Sequence, residues 1–273
     1  MKAYDSVLMA RAKDRPRVGD YIDAIFTDFF ELRGDHLMGE DPAIYGGIAL
    51  FDGRPVTVLG HRKGRELKEN LACHFGMPEP EGYRKALRLM KEAEKFGRPV
   101  ITFIDTPGAY PGKEAEEHGI SDAIAENLAE MSTLRVPIIS VVTGEGSSGG
   151  ALAIGVADRM YMLEHAVYSV LSPEGFASIL WKDSSLAPRA AEVMHMTAPE
   201  LYCEGLADRL IPESPAGIEK DFTVTTNAIA EAIRDDLKEL MALPADELVD
   251  ARYEKYRHFE GKMAPATPEE GEA

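Results

Sequence analysis

Apolar side chains recur at Ile22, Ile25, Phe26, Phe29 and Phe30 within residues 18–33, the spacing of one helix face. Gly34 and the Gly39-Glu40-Asp41-Pro42 cluster close that segment. Two strand-like runs follow, GGIALF and PVTVLG, joined by Asp52-Gly53, a pair suited to a two-residue hairpin turn. A polar loop over 61–80 leads into a helical pattern over 81–97 that stops at Gly97. The clearest rhythm lies in the middle of the chain. VITFID is a continuous apolar run of the kind buried on both faces of a parallel sheet, and TPGAYPG breaks it. A helix from Ser121 carries Ile124, Leu128, Met131 and Leu134 on one face, and Val136 to Val142 reads as a second buried strand. GEGSSGG ends that strand, ALAIGVAD reads as a short apolar helix, and RMYML and VYSVL read as further strands. Helical patterns over 173–182, 187–195, 197–204 and 219–241 fill the remainder. Strand, glycine-rich loop and helix thus alternate twice in succession, which predicts an α/β fold with a parallel sheet.

Composition narrows the function classes. The chain has 273 residues and a formal net charge of −17, which disfavours nucleic acid or an anionic membrane as a dedicated partner. Cys73 and Cys203 stand alone, so neither a zinc ribbon nor a disulfide framework is expected. No apolar stretch approaches the length of a membrane span, and the N-terminus has no signal-peptide core, which points to a cytoplasmic enzyme. The charge is uneven: from Glu213 onward there are 15 acids and 7 bases, while residues 54–68 and 82–98 each carry a net of +4. The first of these basic islands sits on a loop after a strand and suits phosphate groups; a solvated face is the plainer reading of the second.

GEGSSGG matches three short motifs at once. Gly144, Gly146 and Gly149 have the dinucleotide-loop spacing with Glu164 beyond, but the helix that follows is short for that unit. Gly146-x-Ser148-x-Gly150 matches a nucleophile elbow, with Asp208 and His258 following in the right order. A phosphate-binding P-loop fails, because Gly150 and Ala151 occupy the places of its Lys and Ser/Thr. What the readings share is physical: a glycine run at a helix N-terminus exposes unpaired N–H groups and lets a ligand oxygen approach closely. TPGAYPG, at the end of the neighbouring strand, offers another N–H from Gly108 or Ala109. Together the loops can form an oxyanion hole; tight turns and close packing would also account for the glycines.

FIDTPGAYPG, AEEHGISDAIAENL, GEGSSGGALAIG and YSVLSPEGFASILW together resemble the alpha subunits of bacterial acetyl-CoA carboxylase carboxyltransferase. GRPVTVLGHRKGRE and HFGMPEPEGYRKALRL extend the likeness to about residues 17–212. The resemblance implies a crotonase-like ββα superhelix, with a short N-terminal segment (1–16), a carboxyltransferase domain (17–257) and a polar tail (258–273). It implies transfer of a carboxyl group from carboxybiotin to acetyl-CoA, giving malonyl-CoA for fatty acid biosynthesis. The implied partners are a beta subunit in an α2β2 heterotetramer, the biotin carboxyl carrier protein and biotin carboxylase. Zinc is expected on the beta subunit and no metal on this chain. By the same resemblance, Gly108, Ala109, Gly149 and Gly150 supply backbone N–H groups to the biotin ureido oxygen. Arg62, Lys63 and Arg65 would flank the entrance, and Tyr110, Pro111, Gly112, Ser148, Glu174 and Gly175 would line the substrate site. A subunit of another biotin-dependent carboxylase or decarboxylase, and a serine hydrolase using Ser148, are the competing activities. The likeness departs at His118 and Ile120, where the family usually has Arg and Gln.

Overall fold

The two most apolar strands occupy the middle of the sheet. β4 (Val100–Thr106) and β5 (Ile138–Ser147) are buried at every position, as expected of parallel strands covered on both faces. The structure is a computed structural model that describes residues 1–259. The tail expected over 258–273 therefore falls, after its first two residues, outside the described residues. β1 (Thr27–Glu31), β2 (Ile44–Phe51) and β3 (Arg54–His61) lie on one side of the central pair. β6 (Arg159–Leu163), β7 (Val167–Ser169) and β8 (Arg209–Ile211) lie on the other. The order is β1-β2-β3-β4-β5-β6-β8, with β7 pairing the far end of β5. All pairs from β3 onward are parallel; β1–β2 and β2–β3 are antiparallel, so the sheet is mixed. The hairpin turns at Asp52 (φ 49°) and Gly53 (φ 77°), as that dipeptide predicts.

Twelve α-helices are described. α1 (Ala3–Ala10) and α2 (Val18–Ile25) precede the sheet, and α3 (Leu67–Ala72) interrupts the loop expected to be irregular. α4 (Pro80–Lys95), α5 (Lys113–Glu117) and α6 (Ile120–Thr133) flank β4, and α7 (Ser148–Leu152) follows β5. α8 (Pro173–Trp181), α9 (Ala187–Met194) and α10 (Ala198–Cys203) precede β8; α11 (Phe222–Leu240) and α12 (Ala245–Arg257) end the described chain. Local chemistry sets several boundaries. Pro80 stands in the first turn of α4 and Gly97 (φ 66°) lies just past its end. Ser172 Oγ accepts the Gly175 N–H to cap α8, and a Thr197–Glu200 box caps α10.

Two expectations need correction. Residues 18–33 are not one helix: α2 ends at Ile25 and the chain continues as edge strand β1, with a bulge between Thr27 and Phe30 and Asp28 at φ 53°. The aromatic residues fit a helix face and a strand equally well, and tertiary contacts decide. Phe26 packs against Phe51 (5.8 Å between centroids) and Phe29 against Tyr45 (5.2 Å). GEGS, read as a loop, continues β5 as far as Ser147 because β7 pairs with it at Glu145–Ser147. The core spans both sides of the centre: Tyr21 of α2 stacks on Phe103 of β4 and meets Phe222 of α11 edge-on. At the rear, the buried Arg252 of α12 donates to the carbonyls of Met131, Leu134 and Val136 at the end of α6, at 2.7–3.0 Å, and pairs with Asp158 at 2.8 Å.

Candidate active site

Because β4 and β5 are parallel neighbours with Thr106 opposite Gly146, TPGAYPG and GEGSSGG leave the sheet at the same edge. Their backbones touch. A β-carbon built on Gly150 would come within 2.5 Å of the Gly108 carbonyl carbon and 2.6 Å of the Ala109 nitrogen, so only glycine fits there. Ser148 takes a left-handed conformation (φ 59°) as the strand turns directly into α7. The first turn of α7 leaves the N–H groups of Gly149 and Gly150 without partners among the described residues, and Ala109 N–H has none there either. Ser147 Oγ, in the N-cap place, is buried and unpaired, so nothing in the protein closes this helix end.

Gly108 does not join these donors. Its N–H is donated to Thr106 Oγ1 (3.0 Å), and the same hydroxyl donates back to the Gly108 carbonyl (2.7 Å). The donor set expected from four residues is thereby narrowed to Ala109, Gly149 and Gly150. Gly108 (φ 145°) instead lets the loop turn against Gly150. The glycines of the dinucleotide spacing have a packing reason. Gly144 and Gly146 lie within β5, where Asp105 and the Tyr168 ring occupy the space of their missing side chains.

His61, the last residue of β3, is 1% exposed and neither ring nitrogen has a hydrogen-bond partner. Its ring faces the Gly150 backbone, and burial pushes its pKa down to about 3, so the imidazole is neutral. On the far side of TPGAYPG, His74 stacks on Tyr110 (4.0 Å between centroids), and Tyr110 N–H donates to the Pro78 carbonyl. His74, Phe75 and Gly76 are all left-handed (φ 45°, 56° and 83°), a strained turn held against the loop. Gly76 leaves room there for the Lys63 side chain.

The open helix end faces a cleft of about 770 Å³ lined by Ser148, Gly149, Leu152, Val170, Leu171 and Phe176 among others, mostly apolar. Val170, Ile179 and Leu180 beside it are 79%, 61% and 58% exposed, a concentration of apolar surface of the kind that marks an interaction site.

The basic residues are distributed differently from the expectation of an entrance lined with free cations. Lys63 turns inward to Asp105 (2.6 Å) and Glu145 (3.5 Å), Arg62 lies over the Tyr45 ring, and Arg65 is exposed but paired with Asp20. In the second island Arg84, Lys85, Arg88 and Lys91 all pair with carboxylates. Glu174, in the first turn of α8, is bound by Arg11 (2.9 Å) and Tyr4 (3.1 Å). Gly175 serves the helix cap, and Pro111 and Gly112 lead into α5. Of the two departures, Ile120 is buried in a cluster with Tyr83 and Ala123 against which Ala109 and Tyr110 of the loop pack. His118 Nδ1 lies 2.9 Å from Glu81 Oε1.

Sequence reasoning missed the ionic cluster behind the loops. Asp105 receives Lys63, Arg17 (3.4 Å) and the backbone N–H of Glu145 (3.1 Å). Burial pushes its carboxyl up, but Lys63 and Arg17 outweigh that and hold it below its usual range. A lone carboxylate ending an apolar strand was the signal available. The nucleophile-elbow reading gains the strained Ser148 but loses its partners: Asp208 pairs with Lys255 (2.5 Å) and His258 with Glu254, both around a different cleft. Among the described residues, no group of three or more His, Cys, Asp or Glu is arranged to hold a metal, and no helix is long and apolar enough to cross a membrane.

Residues 1–260 match the family model described as acetyl co-enzyme A carboxylase carboxyltransferase-like. The chain is 56% identical over 264 residues to the acetyl-coenzyme A carboxylase carboxyl transferase subunit alpha of Bacillus subtilis (strain 168), covering 97% of this chain and 81% of that one. It is 59% identical over 251 residues to the subunit of the same name from Heliobacterium modesticaldum (strain ATCC 51547 / Ice1), covering 92% and 75%. Among solved structures, transcarboxylase 12S matches with a TM-score of 0.67 at 22% identity, over 85% of this chain and 43% of that one. A Pseudomonas malonate decarboxylase hetero-tetramer in complex with coenzyme A matches with a TM-score of 0.67 at 18% identity, over 82% and 90%. The fold is therefore crotonase-like, as the sequence resemblance implied.

Proposed function

The chain belongs to the family of acetyl-CoA carboxylase carboxyltransferase alpha subunits, and we propose that it supplies the biotin-handling half of an active site shared with a beta subunit. The observation that carries this reading is the contact of Gly150 with the Gly108–Ala109 peptide, which brings together two glycine loops where the N–H groups of Ala109, Gly149 and Gly150 have no partner among the described residues. Biotin, when bound, brings the carboxyl group and a ureido oxygen on which negative charge gathers as that carboxyl is transferred. Ala109, Gly149 and Gly150 would donate to that oxygen, and the residues present fit it: the donors are fixed by backbone, and Gly149 lines a largely apolar cleft. Tight loop contact means that little reorganisation is needed when charge develops. His61 is neutral and adds no charge behind the donors, so stabilisation of that oxygen would rest on the backbone dipoles. The donor set itself holds no titratable side chain, and proton removal from acetyl-CoA is assigned to groups outside it.

The apolar surface around Val170, Ile179 and Leu180 borders the cleft and is the face on which we place the beta subunit, in an α2β2 assembly. A biotin carboxyl carrier protein would deliver carboxybiotin from biotin carboxylase to the same opening, and malonyl-CoA would be the product. The test is co-expression with a beta subunit and measurement of malonyl-CoA-dependent carboxylation of biocytin. We expect activity in the complex and none in the isolated chain. Full activity of the chain alone, or none in a well-formed complex, would refute the shared-site reading. In the same assay Ser148→Gly, which removes the hydroxyl and relieves the left-handed strain, should stay within a few-fold of native.

A further inference from the structure

The acidic residue inside GEGSSGG has no part in the donor set, yet two cations from distant parts of the chain hold it. Glu145 lies four residues before Gly149, and its carboxylate is held by Arg11 Nε (2.7 Å) and Lys63 Nζ (3.5 Å). Its backbone N–H donates to Asp105 Oδ1 (3.1 Å), and Asp105 stands three residues before Gly108 on the neighbouring strand. The strands that carry the two glycine loops are therefore joined, beyond their sheet pairing, by one carboxylate-to-backbone bond and one shared lysine. Gly144 is obligatory in this arrangement, because Asp105 occupies the place of its side chain.

The cations that complete the cluster come from the other end of the sequence. Arg17 reaches Asp105, and Arg11 spans Glu145 and Glu174 of α8, where Tyr4 of α1 donates to the same carboxylate. Three cations face three carboxylates, so the cluster is balanced. Arg11 therefore ties the strand that leads into the donor turn to α8, whose Phe176 lines the cleft. α1 is itself seated, with Val7 and Ala10 buried against Val167 and Ala191. Backbone donors act only while held in place, and a shift of about 1 Å can cost about a hundredfold in rate.

We propose that Arg11, acting through Glu145 and with Asp105 and Lys63 behind it, is a positioning residue that makes the N-terminal segment part of the active-site scaffold. This rests on the reading that Ala109, Gly149 and Gly150 are the donors. The test uses the complex with the beta subunit, comparing native with Arg11→Gln, Arg11→Lys and the double variant Arg11→Gln/Glu145→Gln. Elution of the assembly is the control, and kcat and KM for malonyl-CoA in the exchange assay are the readout. Arg11→Gln should lower kcat about 10–100-fold with KM within twofold. Arg11→Lys should recover part of the loss, and the double variant should be no worse than Arg11→Gln alone, because the pair acts as a unit. An assembled Arg11→Gln complex with kcat within threefold of native, or with its loss mainly in KM, would overturn the proposal. If Arg11→Gln does not assemble, Arg11→Lys decides. A three- to tenfold fall in kcat at constant KM supports the proposal, whereas native kcat or failed assembly assigns the contact to folding alone. Inactivity of the native complex would instead sink the donor reading beneath it.

Discussion

Two helix ends in this molecule pose the same problem and are treated in opposite ways. At the end of α6, the carbonyls of Met131, Leu134 and Val136 are taken up by the single buried guanidinium of Arg252, itself balanced by Asp158. At the start of α7, the N–H groups of Gly149 and Gly150 have no partner, and the N-cap hydroxyl of Ser147 is unpaired as well. A fold that can reach across more than a hundred residues to close one helix end leaves the other open. The difference marks the start of α7 as the end where a ligand acceptor could be received, whereas the end of α6 is closed by the protein itself.

The comparison can be broken most severely at the open end. Gly150→Val would drive a side chain into the Gly108–Ala109 peptide and displace at least two donors. Each such donor is worth about 10²–10³ in turnover, so exchange should fall about 10⁴-fold while the complex still elutes intact. Unchanged turnover would show that the open end is idle. At the closed end, Arg252→Met should cost about 3–5 kcal/mol of stability, because Asp158 and three carbonyls lose their partner inside the protein. Denaturant unfolding would measure it, and turnover per folded molecule should be untouched; a turnover loss at native stability would erase the distinction. The third break concerns His61, beside the open end. Its pKa is lowered from 6.5 to about 3, so its contribution to stability is fully present above pH 6.5 and is lost as pH falls toward 3. Native protein should lose stability as pH falls through that window relative to His61→Leu, which has no proton to take up. Parallel pH profiles for the two proteins would place the ring in solvent.

How far each end could be read from sequence follows from the range of its contacts. GEGSSGG and TPGAYPG are local patterns, and their place after two apolar runs was enough to bring them to one sheet edge. The use of Gly108 N–H by Thr106 was not legible, because a threonine two residues before a glycine is compatible with many turns. Arg252 was invisible for a different reason: it sits among other charged residues in ADELVDARYEKYR, and all its partners lie about a hundred residues away. The same holds for Arg11 and Glu145. Charge islands were legible as composition but not as pairs, which is why Lys63 was expected at an entrance and is found in a cluster. The turn from α2 into β1 escaped because Phe26, Phe29 and Phe30 satisfy both periods until Tyr45 and Phe51 are in place.

The edges of the sheet bear on how the protein avoids unwanted company. One outer strand, β1, is bulged and carries a left-handed Asp28; the other, β8, is three residues long. Neither offers a long flat ladder on which a foreign strand could extend the sheet. A chain with so much exposed apolar surface beside its cleft is thus guarded against fibre-like growth through its backbone, and association is directed to side-chain surfaces, where shape can discriminate between one partner and another.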